Sequence, residues 1–149
     1  MSPKKSIAKL KVPSLRTLAY LACPYNNYHT GSEQAHIDIC IIAGHLIEAG
    51  VNLYCPIAHN HPIAKWTGIA LHNYELWMPL DKMMMDRCEV LIMAHMLGWQ
   101  DSRGMKEELD YFVAANKPVF DLDIKTLCMV KRTDPKDATD FNQIKMGEW

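Results

Sequence analysis

Several features that usually announce a protein's class are missing here. Charge of one sign is absent: 16 Lys and Arg stand against 17 Asp and Glu, a net charge of −1. That excludes the broad basic surface a nucleic-acid polymer or an acidic membrane requires. No apolar run approaches the ~20 residues of a membrane-spanning helix. The opening "MSPKKSIAKLKVP" is basic but lacks the apolar stretch of a secretory signal, so residues 1–16 read as a solvated tail. There is no C-x-x-C pair, and the five cysteines (Cys23, Cys40, Cys55, Cys88, Cys128) are odd in number and scattered. This spacing argues against a disulfide framework and for a reduced, cytoplasmic protein. Cys23, Cys40, Cys55 and Cys128 lie in apolar segments, where a thiol serves as a small hydrophobe. No internal repeat or low-complexity tract is evident.

What is present suits one globular core. The chain of 149 residues is 49% hydrophobic and 22% charged, about one domain in length. Short apolar segments closed by proline, "TLAYLACP" (17–24) and "VNLYCP" (51–56), read as buried strands. "EVLIMAHM" (89–96) and "KPVFDL" (117–122) complete four. After the first strand, Thr30 and Glu33 have capping-box spacing. The helix that follows has Ile37, Ile41 and Leu46 as its expected buried stripe and Gly50 as its stop. "IAHNHPIAKWTG" (57–68) reads as an irregular loop, 72–88 as a helix broken or kinked at Pro79, and 105–116 as a helix. "TLCMVK" (126–131) is a candidate edge strand in a stretch that is weakly patterned from about 123 onward. Alternating strands and helices predict a single α/β domain over 17–149. The expected architecture is doubly wound, flavodoxin- or Rossmann-like, with four or five strands in a parallel sheet.

In such a fold ligands bind beyond the carboxyl ends of the strands. The loops there carry Tyr25, His59, His61, Trp99, Asp101, Ser102 and Arg103. Ser102, Arg103 and Gly104 open a helix, where backbone N–H groups attract an anion; the alternative is an ordinary N-cap serine with a turn glycine. Helix phase separates the two glutamates of "SRGMKEELDYF". Glu108 shares the face of Met105, Leu109 and Phe112, while Glu107 falls nearer solvent. An inward carboxylate beside a ligand loop has the character of a nucleophile toward a sugar carbon. Asp81 is the second carboxylate of interest, although spacing alone does not bring it to Glu108. His59 and His61 alternate as zinc ligands can, but no third ligand is identifiable, and a pocket rim or polar loop is the other reading. Trp66, Trp77 and Trp99 suit either base stacking or core packing.

"YLACPY", the aspartate of "WMPLD" and "SRGMKEELDYFVAANKPV" together resemble the nucleoside 2-deoxyribosyltransferase superfamily, in a small branch near the nucleoside 5′-monophosphate N-glycosidases. The similarity runs from about Tyr20 to Val119. Its most specific part is a glutamate with glycine four residues before it and Lys-Pro nine and ten residues after, which selects Glu108. The resemblance implies Glu108 as the nucleophile of a glycosyl-enzyme intermediate, Asp81 as the aspartate that assists at the base or the sugar, and Tyr20 as the group that orients the nucleophile. It implies that Ser102 binds phosphate, where relatives acting on free nucleosides carry an aspartate. Arg103, Gly104, Tyr25, His59, His61 and Trp77 are the further expected substrate contacts. The sequence departs from the pattern at Cys23, Met105, Asp110 and Phe112, positions that shape the pocket. The expectation is a glycosidase or transferase acting on a nucleotide or nucleoside. It would need no metal or organic cofactor, would have no nucleic-acid polymer or membrane partner, and would assemble as a homo-oligomer. A nucleotide-binding or sensor protein without turnover is the alternative.

Overall fold

The structure, a computed structural model, describes residues 17–144; the basic stretch 1–16 lies outside them. Five strands form one sheet: β1 (Leu18–Ala22), β2 (Asn52–Tyr54), β3 (Val90–Ala94), β4 (Val119–Asp123) and β5 (Cys128–Lys131). Their order is β2-β1-β3-β4-β5. The first four run parallel, and β5 pairs antiparallel on β4 at the edge. Four helices complete the α/β architecture: α1 (Ser32–Glu48), α2 (Pro56–Thr67), α3 (Tyr74–Arg87) and α4 (Arg103–Ala114).

Strand alternation divides the core into two layers. Ala19, Leu21, Val90, Ile92 and Leu122 face α1, packing on Ala35, Ile39 and Leu46. Tyr20, Ala22, Leu91, Met93 and Val119 face the other way, onto Met85 of α3 and Met105 and Phe112 of α4. The chain therefore leaves β1 for one face of the sheet and β3 for the other. Those two strands are neighbours, so their outgoing loops diverge and leave a crevice at their carboxyl ends.

Three expectations are corrected. Residues 57–68 are not an irregular loop: they form most of α2. Pro56 sits in its first turn, where a missing N–H costs nothing, and Gly68 ends it at φ 75°. Its polar residues are occupied inward, with Asn60 and His61 buried, and that polarity made the segment look like a loop. In α1 the buried stripe is Ala35, Ile39, Ile42, Ala43 and Leu46, whereas Ile37 and Ile41 are 43% and 56% exposed. Thr30 and Glu33 form no capping box; Gly31 is the N-cap and no side chain caps α1. Pro79 lies inside α3 without ending it.

The weakly patterned C-terminal stretch is pinned to the sheet by Asp121 of β4. Arg132 donates to both of its oxygens, at 2.8 Å from Nε and 2.7 Å from Nη2. His95 Nε2 lies 2.8 Å away, and the Thr139 N–H donates at 2.7 Å. His95 also stacks on Trp99 at 3.8 Å and meets Phe141 edge-on. Burial alone would push the Asp121 carboxyl up, but these donors outweigh it and hold its pKa down to about 2.

Candidate active site at the carboxyl ends of the strands

A cavity of about 790 Å³ occupies the crevice, within the usual range for small-molecule sites. Cys23 and Tyr25 follow β1, Trp77 and Asp81 project from α3, and Ser102 and Glu108 come from the start of α4; all six line it. Tyr20 lines it from within β1.

Glu108 is the most perturbed acid there. Burial of its carboxyl against the walls, reinforced by the negative charge of Asp81, pushes its pKa up to about 8; the Tyr20 hydroxyl works in the opposite direction. Tyr20 is fully buried, and its hydroxyl is pushed far up by burial and by the charges of Glu108 and Asp81. The two groups are close enough to couple, yet the Tyr20 hydroxyl closes no hydrogen bond of good geometry with any described residue. A buried polar atom without a partner costs roughly 1–3 kcal/mol. Such strain is expected where a ligand completes the bonding. The Tyr54 hydroxyl, behind Tyr20 with ring centroids 5.9 Å apart, is unpartnered in the same way.

Asp81 meets Glu108 across this cavity, a placement that spacing alone did not give. Burial raises its pKa, opposed by a hydrogen bond from Asn60 Nδ2 at 2.9 Å. The Asn60 oxygen lies 2.8 Å from His59 Nδ1, so the amide is fixed from both ends. Lys117 secures the helix that carries Asp81. Its ammonium donates to the carbonyls of Met85, Asp86 and Cys88 at 2.8–2.9 Å, satisfying the carboxyl end of α3 where a cation is favoured. The Lys-Pro pair after Glu108 thus locks α3 against the strand that follows α4.

Glu107 behaves differently from its neighbour. It is 37% exposed and accepts from the Tyr74 hydroxyl and, at 2.9 Å, from Arg103 Nε. The bond from Tyr74, with help from Arg103, lowers its pKa. Arg103 is thereby turned along the cavity rim, its side chain 86% exposed. Ser102 fills two positions at once: its oxygen accepts the Met105 N–H at 3.3 Å as the N-cap of α4, and it lines the cavity. Gly104 also lines the cavity, and a Cβ there would meet no atom within 4 Å.

Trp77 lines the cavity with its Nε1 held by the Ala70 carbonyl at 3.0 Å; Trp66 is 81% exposed and Trp99 is committed to His95. Neither His59, which is exposed, nor His61, which is buried, lines the cavity. His59 reaches it through Asn60, and His61 through Tyr25, whose hydroxyl lies 2.6 Å from Nδ1. Their different partners separate the two histidines. Three contributors were not legible as such. Asn60 and Tyr74 sit in polar stretches with no pattern of their own, and Lys82 is an exposed cation on the cavity wall, adjacent to Asp81 and so detectable by that proximity alone.

The fold and the site together define an α/β protein with an acid-lined cavity beyond the carboxyl ends of a mostly parallel sheet. Residues 17–124 match the family described as Domain of unknown function (DUF1937). That is more than half of the chain, and the protein belongs to this family. No curated protein matches the sequence. Among the described residues no helix is long and apolar enough to cross a membrane.

Proposed function

We propose that the protein cleaves or exchanges the N-glycosidic bond of a (deoxy)nucleoside 5′-monophosphate, with Glu108 as nucleophile. The fold is read as doubly wound, of the kind found in the nucleoside 2-deoxyribosyltransferase superfamily that the sequence resembles. One observation carries the reading: a desolvated carboxyl, coupled to an unpartnered tyrosine hydroxyl and a second raised carboxyl, in a cavity of nucleotide size.

A Glu108 oxygen attacks C1′ as the C1′–N bond breaks, and the base leaves with the bonding electron pair. Asp81, which holds its proton more tightly than a solvent-exposed aspartate, supplies the proton to the departing base. Water then attacks C1′, the ester C–O bond breaks, Glu108 is regenerated and Asp81 recovers the proton. A second base in place of water gives transfer instead. Tyr20 orients the Glu108 carboxylate. Ser102 spends its oxygen on the helix cap and keeps its own proton for a phosphate oxygen, beside the backbone N–H groups of α4 and the cation of Lys82. Cytoplasmic location and homo-oligomeric assembly belong to the same reading.

The test is release of free base from a panel of nucleoside 5′-monophosphates, followed chromatographically. Glu108→Ala should lower it by roughly 10³-fold or more while leaving binding measurable; full activity in that variant rules the mechanism out. Ser102→Asp should impair monophosphates more than nucleosides. Equal impairment removes the phosphate assignment.

A further inference from the structure

Tyr25, His61 and Glu33 form a hydrogen-bonded chain from the cavity wall to the surface. Tyr25 Oη lies 2.6 Å from His61 Nδ1, and His61 Nε2 lies 2.6 Å from Glu33 Oε2. The other Glu33 oxygen, Oε1, accepts from Lys65 Nζ at 2.8 Å. His61 is buried and stacks on His36 with centroids 4.4 Å apart, so its ring cannot flip freely. Tyr25 and Leu71 line both the large cavity and a second hollow of about 270 Å³, which His61 and Lys65 also line. The Tyr25 ring is therefore part of the partition between the two.

The proton positions follow from the partners. Glu33 is held well below the usual carboxylate range by Lys65 and His61, to about 2, and only accepts. In the neutral ring the His61 proton then sits on Nε2, facing Glu33, which leaves Nδ1 as an acceptor for the Tyr25 hydroxyl. Tyr25 has no proton left for the cavity and offers a lone pair only.

We propose that Glu33 and His61 are positioning residues that fix Tyr25 as a hydrogen-bond acceptor, and that Tyr25 selects ligands presenting an N–H or O–H donor to that part of the cavity. The selection deepens the nucleotide reading, since nucleobase amino groups and sugar hydroxyls are such donors, and in that respect rests on it. The proton chain itself does not.

Glu33→Gln inverts the chain on paper. The carboxylate has an oxygen for each partner, whereas an amide has one oxygen, which Lys65 requires, and an NH2 that must donate to His61 Nε2. His61 then carries its proton on Nδ1, donates to Tyr25, and frees the tyrosine proton to point into the cavity. The experiment is ¹⁵N NMR of the imidazole rings in the full chain, paired with calorimetric titration of 2′-deoxyadenosine and 2′-deoxyguanosine 5′-monophosphates. The expected result is an Nε2–H tautomer at His61 in the native protein and Nδ1–H in Glu33→Gln. Binding of the tighter nucleotide should weaken roughly five- to tenfold in both Glu33→Gln and Tyr25→Phe, with no further loss in the double variant. An Nδ1–H tautomer or a doubly protonated ring at His61 in the native protein overturns the proposal, as does nucleotide binding that both variants leave unchanged. If neither nucleotide binds the native protein, the nucleotide reading and the ligand selection fail, and the tautomer still decides the chain on its own.

Discussion

Asp121, within β4, and Glu108, near the start of α4, are two carboxylates that differ in their partners. Asp121 receives Arg132, His95 and the Thr139 N–H, and its pKa falls to about 2. Glu108 has the Tyr20 hydroxyl alone to oppose burial and the charge of a second carboxyl, and its pKa rises to about 8. The first arrangement stabilises the ionised form, and the segment carrying Arg132 and Thr139 folds back upon it. The second leaves the ionised form short of donors, an arrangement that a ligand can complete. The contrast identifies which buried acid is structural and which is available for chemistry.

Breaking the satisfied side should have the largest effect on stability. Asp121→Ala leaves the buried Arg132 guanidinium unpaired and should cost about 3–5 kcal/mol in urea unfolding. The sign with pH follows from linkage. The Asp121 pKa is depressed on folding, so its contribution is present above the ordinary pKa of 3.8 and is lost as pH falls toward about 2. Glu108 is the reverse. Its pKa is raised, so the protein gains from it below the ordinary 4.5 and loses that stability as pH rises through about 8. Glu108→Gln should therefore be more stable than the native protein at pH 9, by about 1–3 kcal/mol after allowing for partial exposure, with the difference vanishing near pH 4.

The same shift sharpens the comparison in kinetics. The nucleophile must be ionised and Asp81 must hold its proton, so kcat/KM for base release should be bell-shaped, with its acid limb set by Glu108 and its alkaline limb by Asp81. Asn60→Ala removes the one hydrogen bond that opposes the raised pKa of Asp81. It should move the alkaline limb of kcat upward and cost roughly 0.5–1.5 kcal/mol of stability. Tyr20→Phe is the smallest change. Deleting a buried hydroxyl that closes no bond of good geometry should leave stability unchanged or raised while slowing base release, because Glu108 loses its orienting neighbour.

The two long-range helices explain how much of this could be read in advance. In α4 the apolar residues Met105, Leu109 and Phe112 are separated by charged ones, so phase was unambiguous and placed Glu108 inward. In α1, Ile37, Ile39, Ile41, Ile42, Leu46 and Ile47 surround the helix, and no single stripe is defined by spacing; the sheet chose Ile39 and Ile42. Strands β1, β3 and β4 were legible because buried parallel strands are short, apolar runs; β2, expected to be buried, is an edge strand with Asn52 exposed and Leu53 and Tyr54 half-buried. Segment α2 was not, because its Asn60 and His61 serve distant partners, Asp81 and Glu33, and a partner 21 or 28 residues away leaves no local pattern. The Asp121 network was hidden for the same reason: nothing in "KPVFDL" announces Arg132 or Thr139.

The account rests on the unequal state of the two acids, and one titration measures both. With ¹³C-labelled carboxylates, the Glu108 and Asp121 side-chain signals can be followed across pH in one sample of the full chain. The prediction is a Glu108 midpoint near 8 and an Asp121 midpoint near 2. A Glu108 midpoint at or below 4.5 would contradict the claim that the site holds a desolvated, under-bonded acid.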